Sequence, residues 1–349
     1  MNAVTRTIRR LWHGSSVGDG EIHQSRSSIG VTIAKSLVCA AILGYLLATF
    51  DLQNISSAIL GASWALPLIV VLHLVQLALS GCAWRAILPR AAAWPVFFRI
   101  RWIREGVAGL LPFGPLSAGV VGTQLLARHD VTAARATASL TVDITAEMAA
   151  QIVFLLCGIA LLPAGIMTRH TLTWIVPALF VAIGMCAAFL LVQRVGLFRL
   201  FDLGLARLAR RWPRLVPREA SGFHEALLTL HRDPERLLAA VLFHTASWML
   251  GSGEIWLASD ALDHVVSLQS AFILESIGMA VRSAGFAIPG KLGVQEAGFV
   301  FAGGLVGLSP DLAIALSFMK RIREFLIAGS GLLVWGWEDL TAPRAGTGG

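Results

Sequence analysis

The sequence predicts an all-α polytopic membrane protein with about six full transmembrane helices and two broken or re-entrant helical segments in an inverted repeat. Three observations support this fold class. Of the 349 residues, 56% are hydrophobic and only 14% are charged, whereas about 25% of the residues of soluble domains are charged. Long apolar runs recur along the chain, and most arginines fall in the short segments between those runs. Lipid is therefore the expected solvent for this fold.

Six apolar runs have the length of about 20 residues that a helix needs to cross roughly 30 Å of hydrocarbon. They lie near residues 31–50, 64–84, 136–163, 174–193, 237–258 and 312–335. The first run is followed by Asp51 and other polar residues instead of a small-residue cleavage site, so it is expected to remain as an anchor. Residues 1–28 are predicted to form a flexible basic cytoplasmic arm, and residues 341–349 a disordered tail.

Two further apolar stretches, 106–127 and 268–308, are interrupted by proline and glycine. The interruptions contain Pro112, Gly114, Pro289, Gly290 and Gly293. Proline removes a helical hydrogen bond, and glycine tolerates backbone conformations that other residues avoid. The two stretches are therefore predicted to be broken or re-entrant helices.

The distribution of arginine predicts the orientation in the membrane, because loops on the cytoplasmic side carry the excess of positive charge. The segments 85–105 and 194–236 are rich in arginine, whereas 51–63 and 259–267 contain no lysine or arginine. The amino terminus is thus expected in the cytoplasm. The net charge of +7 does not indicate nucleic-acid binding, since the basic residues do not gather on one polar face. They are expected to lie on the anionic inner leaflet instead, including Trp94 and Trp102 with Arg99, Arg101 and Arg104.

Residues 29–340 are predicted to form one membrane domain that contains two related halves. Repeat one spans about 64–193 and repeat two about 237–338, joined by the basic cytoplasmic loop 194–236, and the offset between their proline breaks is about 177 residues. With the orientation above, the two breaks enter from opposite sides of the membrane. Such inverted repeats with broken helices are typical of alternating-access transporters, which bind their substrate near the midplane.

The four cysteines lie in apolar runs and share no short spacing with another cysteine or a histidine. This pattern favours neither a disulfide framework nor a metal site, and no cofactor is expected.

Several charged residues occur inside the apolar segments, where each costs at least about 2.5–3.5 kcal/mol unless it faces a partner or a wet cavity. They are Asp143 and Glu147 in the third run, Lys320, Arg321 and Arg323 in the last run, and Arg282, Lys291 and Glu296 around the second break. One interpretation is a buried clamp in which Asp143 or Glu147 pairs with Arg321 or Arg323. The other is a polar midplane cavity whose cations receive an anionic headgroup. A phosphate oxygen at the helix start near Val294 would fit the second interpretation.

Two motifs in the last quarter of the chain resemble those of a known family. They are IPGKLGVQEAG at residues 288–298 and MKRIRE at residues 319–324. The chain is similar over about 30–338 to the flippase-like membrane domain that is shared with lysyl-phosphatidylglycerol synthases, and these motifs look most like the hopanoid-biosynthesis-associated members. It departs from many members at Lys291, where they carry Gly or Ala, and at Gln295, where they carry Arg.

The resemblance implies a protein of the bacterial inner membrane that moves an anionic or aminoacylated lipid between leaflets, with membrane lipids as partners. Enzymes of lipid biosynthesis at the cytoplasmic face are candidate partners, and no enzymatic activity is expected. Two alternatives stay open. One is a polyprenyl-phosphate phosphatase or transferase that would use Glu275, Ser283 or Glu296 as nucleophile or base. The other is a non-catalytic scaffold that gathers lipid-modifying enzymes through the basic loop.

Overall fold

The structure, a computed structural model, describes residues 59–110, 114–163, 222–284 and 293–341, together with a few single positions outside these ranges. Helices and the turns between them account for these four ranges, and no strand occurs within them. The described residues do not include the arm 1–28, the crossing expected at 31–50, most of the crossing expected at 174–193, residues 194–221 of the basic loop, or residues 342–349 of the tail.

Nine α-helices are present in the part of the chain that the structure describes. The first four are α1 (Leu66–Ile87), which follows a 3-10 turn at Ala62–Ala65, α2 (Trp94–Leu110), α3 (Gly114–Ala127) and α4 (Ala133–Ala160). The other five are α5 (Phe223–Leu230), α6 (Pro234–Ala261), α7 (Leu268–Ala284), α8 (Val294–Leu305) and α9 (Pro310–Thr341).

Local sequence explains where several of these helices begin. The side chain of Thr132 accepts a hydrogen bond from the backbone N–H of Arg135 at 3.3 Å at the start of α4. Asp233 does the same for Arg236 at 3.2 Å at the start of α6, where Pro234 fits the first helical position. Gly293 precedes α8 with a φ of +77°, a backbone conformation that residues with a Cβ rarely adopt.

The order of helix lengths in α1–α4 recurs in α6–α9. Both sets run as a long helix, a helix of 17 residues, a short helix of 14 or 12 residues and a second long helix. The predicted breaks fall between α2 and α3 and between α7 and α8. The short helices α3 and α8 span about 18–21 Å, less than the roughly 30 Å of a bilayer core. The first interrupted stretch was predicted to begin at residue 106, but its helix begins at Trp94 because the arginines between these positions are tolerated inside the fold.

The two sets of four helices pack against each other closely. α6 runs along α1, and α9 runs along α2. Where α9 runs along α2, a Cβ added to Gly106 would lie 2.7 Å from the Ala328 carbonyl oxygen. A Cβ added to Gly331 would lie 2.5 Å from the carbonyl oxygen of Trp102. Glycine therefore allows the two backbones to approach, as is common between membrane helices.

The surface and the interior are distributed as in a membrane protein. Large apolar side chains face outward on the long helices, for example Leu68, Val71 and Val75 on α1, while charged side chains lie inside. Two helical segments are apolar and long enough to cross a membrane by length and composition, Ile59–Ile87 and Ala133–Ala160. α6 and α9 are as long, but they carry charged residues near their middle. The total of six crossings remains a prediction.

Candidate functional site

The helices bury several charged groups, each with at most 8% of its surface exposed. They are Arg101, Asp143, Glu254, Glu275, Glu296, Lys320, Arg321 and Arg323, accompanied by His244. Lysine, arginine and the two acids are almost never fully buried unless they are paired. The partners of these groups therefore define the candidate site.

The first cluster, here named the α2–α4 cluster, consists of Arg101, Arg104, Asp143, Glu147 and His244. The Arg101 guanidinium donates to Asp143 Oδ2 at 3.1 Å and to both Glu147 oxygens at 3.3–3.4 Å. His244 Nε2 lies 3.0 Å from Asp143 Oδ1, and Arg104 Nη1 lies 3.8 Å from Asp143 Oδ2. Two guanidinium groups thus neutralise two carboxylates, of which Asp143 is fully buried and Glu147 is 31% exposed.

Arg104 occupies the outer part of this cluster. Its guanidinium carbon lies 5.3 Å from the centre of the Trp84 ring, which is a favourable distance for a cation–π contact. The Trp84 indole N–H donates to the Ser139 hydroxyl at 3.1 Å, which fixes the ring between α1 and α4. The aromatic face therefore partly replaces the hydration that Arg104 loses.

The second cluster, here named the α6–α9 cluster, centres on Lys320. Its ammonium contacts the two Glu275 oxygens at 2.6 and 2.7 Å and lies 3.8 Å from Glu254 Oε2. A Cβ added to Gly251 would lie 2.7 Å from Glu275 Oε1, so this glycine leaves the space that the carboxylate occupies. One cation thus holds carboxylates from two helices, α6 and α7.

Glu254 joins this cluster to the first half of the chain. Its Oε1 accepts a short hydrogen bond from the Gln76 amide and lies 3.1 Å from His73 Nδ1. Its Oε2 lies 3.4 Å from Arg323 Nη2. Arg323 Nη1 in turn makes a short contact with His73 Nδ1. A carboxylate on α6 therefore bridges α1 and α9.

Two further ion pairs lie beside the second cluster. Arg282 Nη1 is 3.0 Å from Glu324 Oε1, which links α7 to α9. Arg321 Nε is 2.5 Å from Glu296 Oε1, which links α9 to the first turn of α8. The other Glu296 oxygen accepts the backbone N–H of Gly293 at 2.8 Å. This N–H at the start of α8 was expected to donate to a phosphate oxygen. It donates instead to the Glu296 carboxylate of the same helix.

The expected pairing of Asp143 or Glu147 with Arg321 or Arg323 is wrong. The structure pairs the two acids with Arg101, and it pairs Arg321 with Glu296 and Arg323 with Glu254. The physical reason is that the nearest cation comes from α2, a helix that the sequence interpretation placed on the membrane surface. The general expectation that these charges lie inside and are paired is met.

Some of the predicted positions lie outside the described residues. They are Lys291, Pro112, Pro289 and Gly290. Of the remaining structural breaks, Gly114 begins α3 and Gly293 precedes α8.

Sequence reasoning missed Arg101, Arg104, His73 and Gln76 as members of the site. Arg101 and Arg104 are three residues apart and share a helix face, whereas Arg99 points elsewhere and pairs at the surface with Glu338 at 3.2 Å. His73 and Gln76 are also three apart, within an otherwise apolar helix. Polar residues at helical spacing were the signal that could have identified these positions.

Asp143, Glu147 and His244 also form a group whose ligand atoms lie within 4.8 Å of one another, as a metal site would require. The geometry does not suit a cation, because Arg101 already donates to both carboxylates and Arg104 stands beside Asp143. A divalent ion would have to displace two guanidinium groups. The group is therefore assigned to ion pairing.

The three groups that were considered for catalysis are engaged in other contacts. Glu275 is held by Lys320, and Glu296 is held by Arg321 and by the helix start. The Ser283 hydroxyl accepts a hydrogen bond from the Gln151 amide at 2.6 Å. What the arrangement offers chemically is a set of buried, exchangeable ion pairs between helices.

The comparisons with known proteins agree with this membrane architecture. No curated protein and no solved structure matches the chain at a significant level. The family model described as "Lysylphosphatidylglycerol synthase TM region" matches residues 29–331, which is most of the chain and includes every residue of both clusters. The protein is therefore a membrane protein that belongs to the lysylphosphatidylglycerol synthase TM region family.

Proposed function

We propose that this protein is a lipid translocase, or a lipid-transport component, of the bacterial inner membrane. The observation that carries the proposal is the set of ion pairs buried between helices whose outer surfaces are apolar. An unpaired charge is costly in this environment, whereas a charge that exchanges one partner for another avoids that cost. A lipid headgroup that carries charge can serve as such a partner.

The chemistry of the clusters suits anionic and aminoacylated lipids. An anionic headgroup would compete with Glu275 for Lys320, and the ammonium of an aminoacylated lipid would compete with Lys320 for Glu275. Hopanoid lipids are a further candidate class, suggested by the motifs at 288–298 and 319–324. Five cations are proposed to contact headgroups, and three acids are proposed as their counter-charges. The cations are Arg282, Lys291, Lys320, Arg321 and Arg323, and the acids are Asp143, Glu147 and Glu296.

The helix order supports an alternating-access arrangement. Each half carries a broken pair of helices next to a long helix with buried charges. If the halves are inverted in the membrane, rocking one half against the other would expose the clusters to each leaflet in turn.

The direct test is exchange of labelled lipids between leaflets in proteoliposomes. Separate arms contain an anionic, an aminoacylated and a hopanoid lipid, and empty liposomes give the background. We expect exchange of at least one class, reduced by Glu275→Gln and unchanged by Arg99→Gln, which removes only a surface ion pair. Absence of exchange for every native lipid class would refute the proposal.

The orientation is proposed from the arginine distribution, with the amino terminus in the cytoplasm. A cysteine that replaces Asp263 should react with an impermeant thiol reagent in intact cells, whereas one that replaces Ser221 should react only after the cells are opened. Labelling at residue 221 from outside would reverse the orientation.

A further inference from the structure

One nitrogen of His73 faces a hydrogen-bond donor and an acceptor at the same time. His73 Nδ1 contacts Arg323 Nη1 and lies 3.1 Å from Glu254 Oε1. A ring nitrogen of histidine either carries a proton and donates, or carries a lone pair and accepts. A guanidinium only donates and a carboxylate only accepts. His73 can therefore satisfy one of these two partners, but not both together.

The first choice requires a neutral ring with its proton on Nε2. The second requires a proton on Nδ1, as in the imidazolium or in the neutral Nδ1–H tautomer. With its proton on Nε2, neutral His73 accepts a hydrogen bond from Arg323 at Nδ1. When Nδ1 takes up a second proton, the imidazolium donates to Glu254 Oε1, and Arg323 Nη1 loses its acceptor on the ring. Arg323 Nη2 still lies 3.4 Å from Glu254 Oε2 and 3.7 Å from Glu324 Oε1. The displaced guanidinium thus has carboxylates nearby.

Charged groups from three helices act on the ring, of whose side chain only 12% is exposed. They are Glu105 on α2, Glu254 on α6 and Arg323 on α9. Gln76 and Lys320 contact Glu254, Glu275 holds Lys320, and Glu324 lies 3.7 Å from Arg323. The acids outnumber the permanent cations in this set. An added proton therefore meets nearby carboxylates that favour it, while burial and the positive charge of Arg323 oppose it.

We propose that His73 is a proton-operated switch between the two halves of the protein. Proton uptake breaks the contact between α1 and Arg323 of α9 and strengthens the contact between α1 and Glu254 of α6. Because α1 belongs to the first half and α6 and α9 to the second, the proton changes how the halves are joined. Buried histidines next to carboxylates serve as proton relays in pumps and transporters. The use of this proton to drive lipid movement rests on the proposed function, whereas the switch itself does not.

The switch is tested on the purified protein in lipid bilayers by NMR of the ¹⁵N-labelled histidine side chains between pH 5 and 9. The resonances of His73 are those lost in His73→Gln. We expect Nδ1 to lack a proton at high pH and both ring nitrogens to carry one at low pH. Removing the carboxylate with Glu254→Gln should move the midpoint at least one pH unit lower, and removing the cation with Arg323→Gln should move it higher. A ring that keeps one state throughout, or that only exchanges tautomers, would overturn the proposal.

The role in transport is tested in the same bilayers. Lipid exchange should vary with pH in the unmodified protein, and His73→Gln should abolish that variation. The matched control is His129→Gln, which removes an exposed imidazole outside both clusters and should keep the variation. Titration of His73 without lipid exchange at any pH would refute the proposed function and leave the switch standing. Exchange whose pH dependence survives His73→Gln would refute the coupling.

Discussion

The two halves of the described chain place polar groups at the same helical positions but fill them differently. The eighth residue of α2 is Arg101, and the eighth of α7 is Glu275. The eleventh residue of α4 is Asp143, and the eleventh of α9 is Lys320. Each half thus has an ion pair between the same two helices, with the signs exchanged. Both halves have an ion pair at this position, but the helix that carries the cation differs between them.

The correspondence extends to two more positions. The fifteenth residue is a glutamate in both long helices, Glu147 in α4 and Glu324 in α9, and each pairs with an arginine of the neighbouring helix. The eleventh residues of α1 and α6 are Gln76 and His244, and each contacts an acid on another helix. Polar residues thus occur at the same positions in corresponding helices, although the residue types differ. This indicates that both halves need a polar centre.

Among the described residues, the second half has an ion pair at the start of its short helix that the first half lacks. Glu296, the third residue of α8, pairs with Arg321 and accepts the N–H of Gly293. The third residue of α3 is Leu116, which is 74% exposed. The start of α8 is therefore tied to the long helix α9 by charge, whereas no such tie exists at Leu116.

The largest expected effect concerns the Lys320–Glu275 pair. Lys320→Gln or Glu275→Gln alone should lower the free energy of unfolding by about 3–5 kcal/mol, because each leaves a buried charge without its partner. The double variant should recover at least about 0.5–1 kcal/mol of the summed loss if the two groups interact. Thermal unfolding in detergent measures all three.

A surface pair provides the control for this cycle. Arg99 and Glu338 are 3.2 Å apart, with 47% and 23% of their side chains exposed, so Arg99→Gln should cost less than about 1 kcal/mol. Equal losses for the surface pair and the Lys320 pair would contradict the interpretation of the cluster as buried.

Breaking the Arg101–Asp143 pair, which is the matching pair of the first half, should lower the free energy of unfolding by less. Arg101→Gln and Asp143→Asn should each cost about 2–3 kcal/mol, as for hydrogen bonds to charged groups. The loss is smaller because Arg101 keeps Glu147 when Asp143 is changed, and Asp143 keeps His244 and Arg104 when Arg101 is changed. The same unfolding measurement applies. A larger loss here than at Lys320 would mean that the extra partners do not compensate.

Breaking the Glu296–Arg321 pair, which has no match at the equivalent position of the first half, should give the next largest loss of stability. Glu296→Ala removes both the partner of Arg321 and the acceptor for Gly293, with an expected loss of about 2 kcal/mol. Glu296→Gln keeps an acceptor oxygen and should lose about half as much. Leu116→Ala at the equivalent position should change stability by less than about 0.5 kcal/mol. Comparable losses at Glu296 and Leu116 would remove the asymmetry between the halves.

The smallest effect is expected at Gly251, whose missing side chain makes room for Glu275. Gly251→Ala should cost about 1–2 kcal/mol, because the new methyl group must push a carboxylate that Lys320 holds. Gly304→Ala is the matched control, since a Cβ there meets nothing within 4 Å. If both substitutions change the unfolding temperature alike, the close packing around Glu275 is not the cause.

Much of the site could be predicted from sequence because charged residues are conspicuous in apolar runs. Asp143, Glu147, Lys320 and Arg323 were identified by their depth in the expected helices. Arg101 was not, since a segment with many arginines between two apolar runs has the pattern of a cytoplasmic loop. Its burial depends on Asp143, which lies 42 residues further along the chain.

The sequence by itself determined the helical class, the two breaks and the burial of charge, because these follow from apolar length, from proline and glycine, and from the cost of an unpaired charge in lipid. Only the tertiary structure decided which charges meet. Ion pairing depends on distances of 3–4 Å between helices, and the spacing of residues along one chain carries no information about which helices are neighbours. The folded arrangement of the helices brings the side chains of α2 within reach of α4, and those of α7 within reach of α9. It therefore selected Arg101 for Asp143 and Arg282 for Glu324.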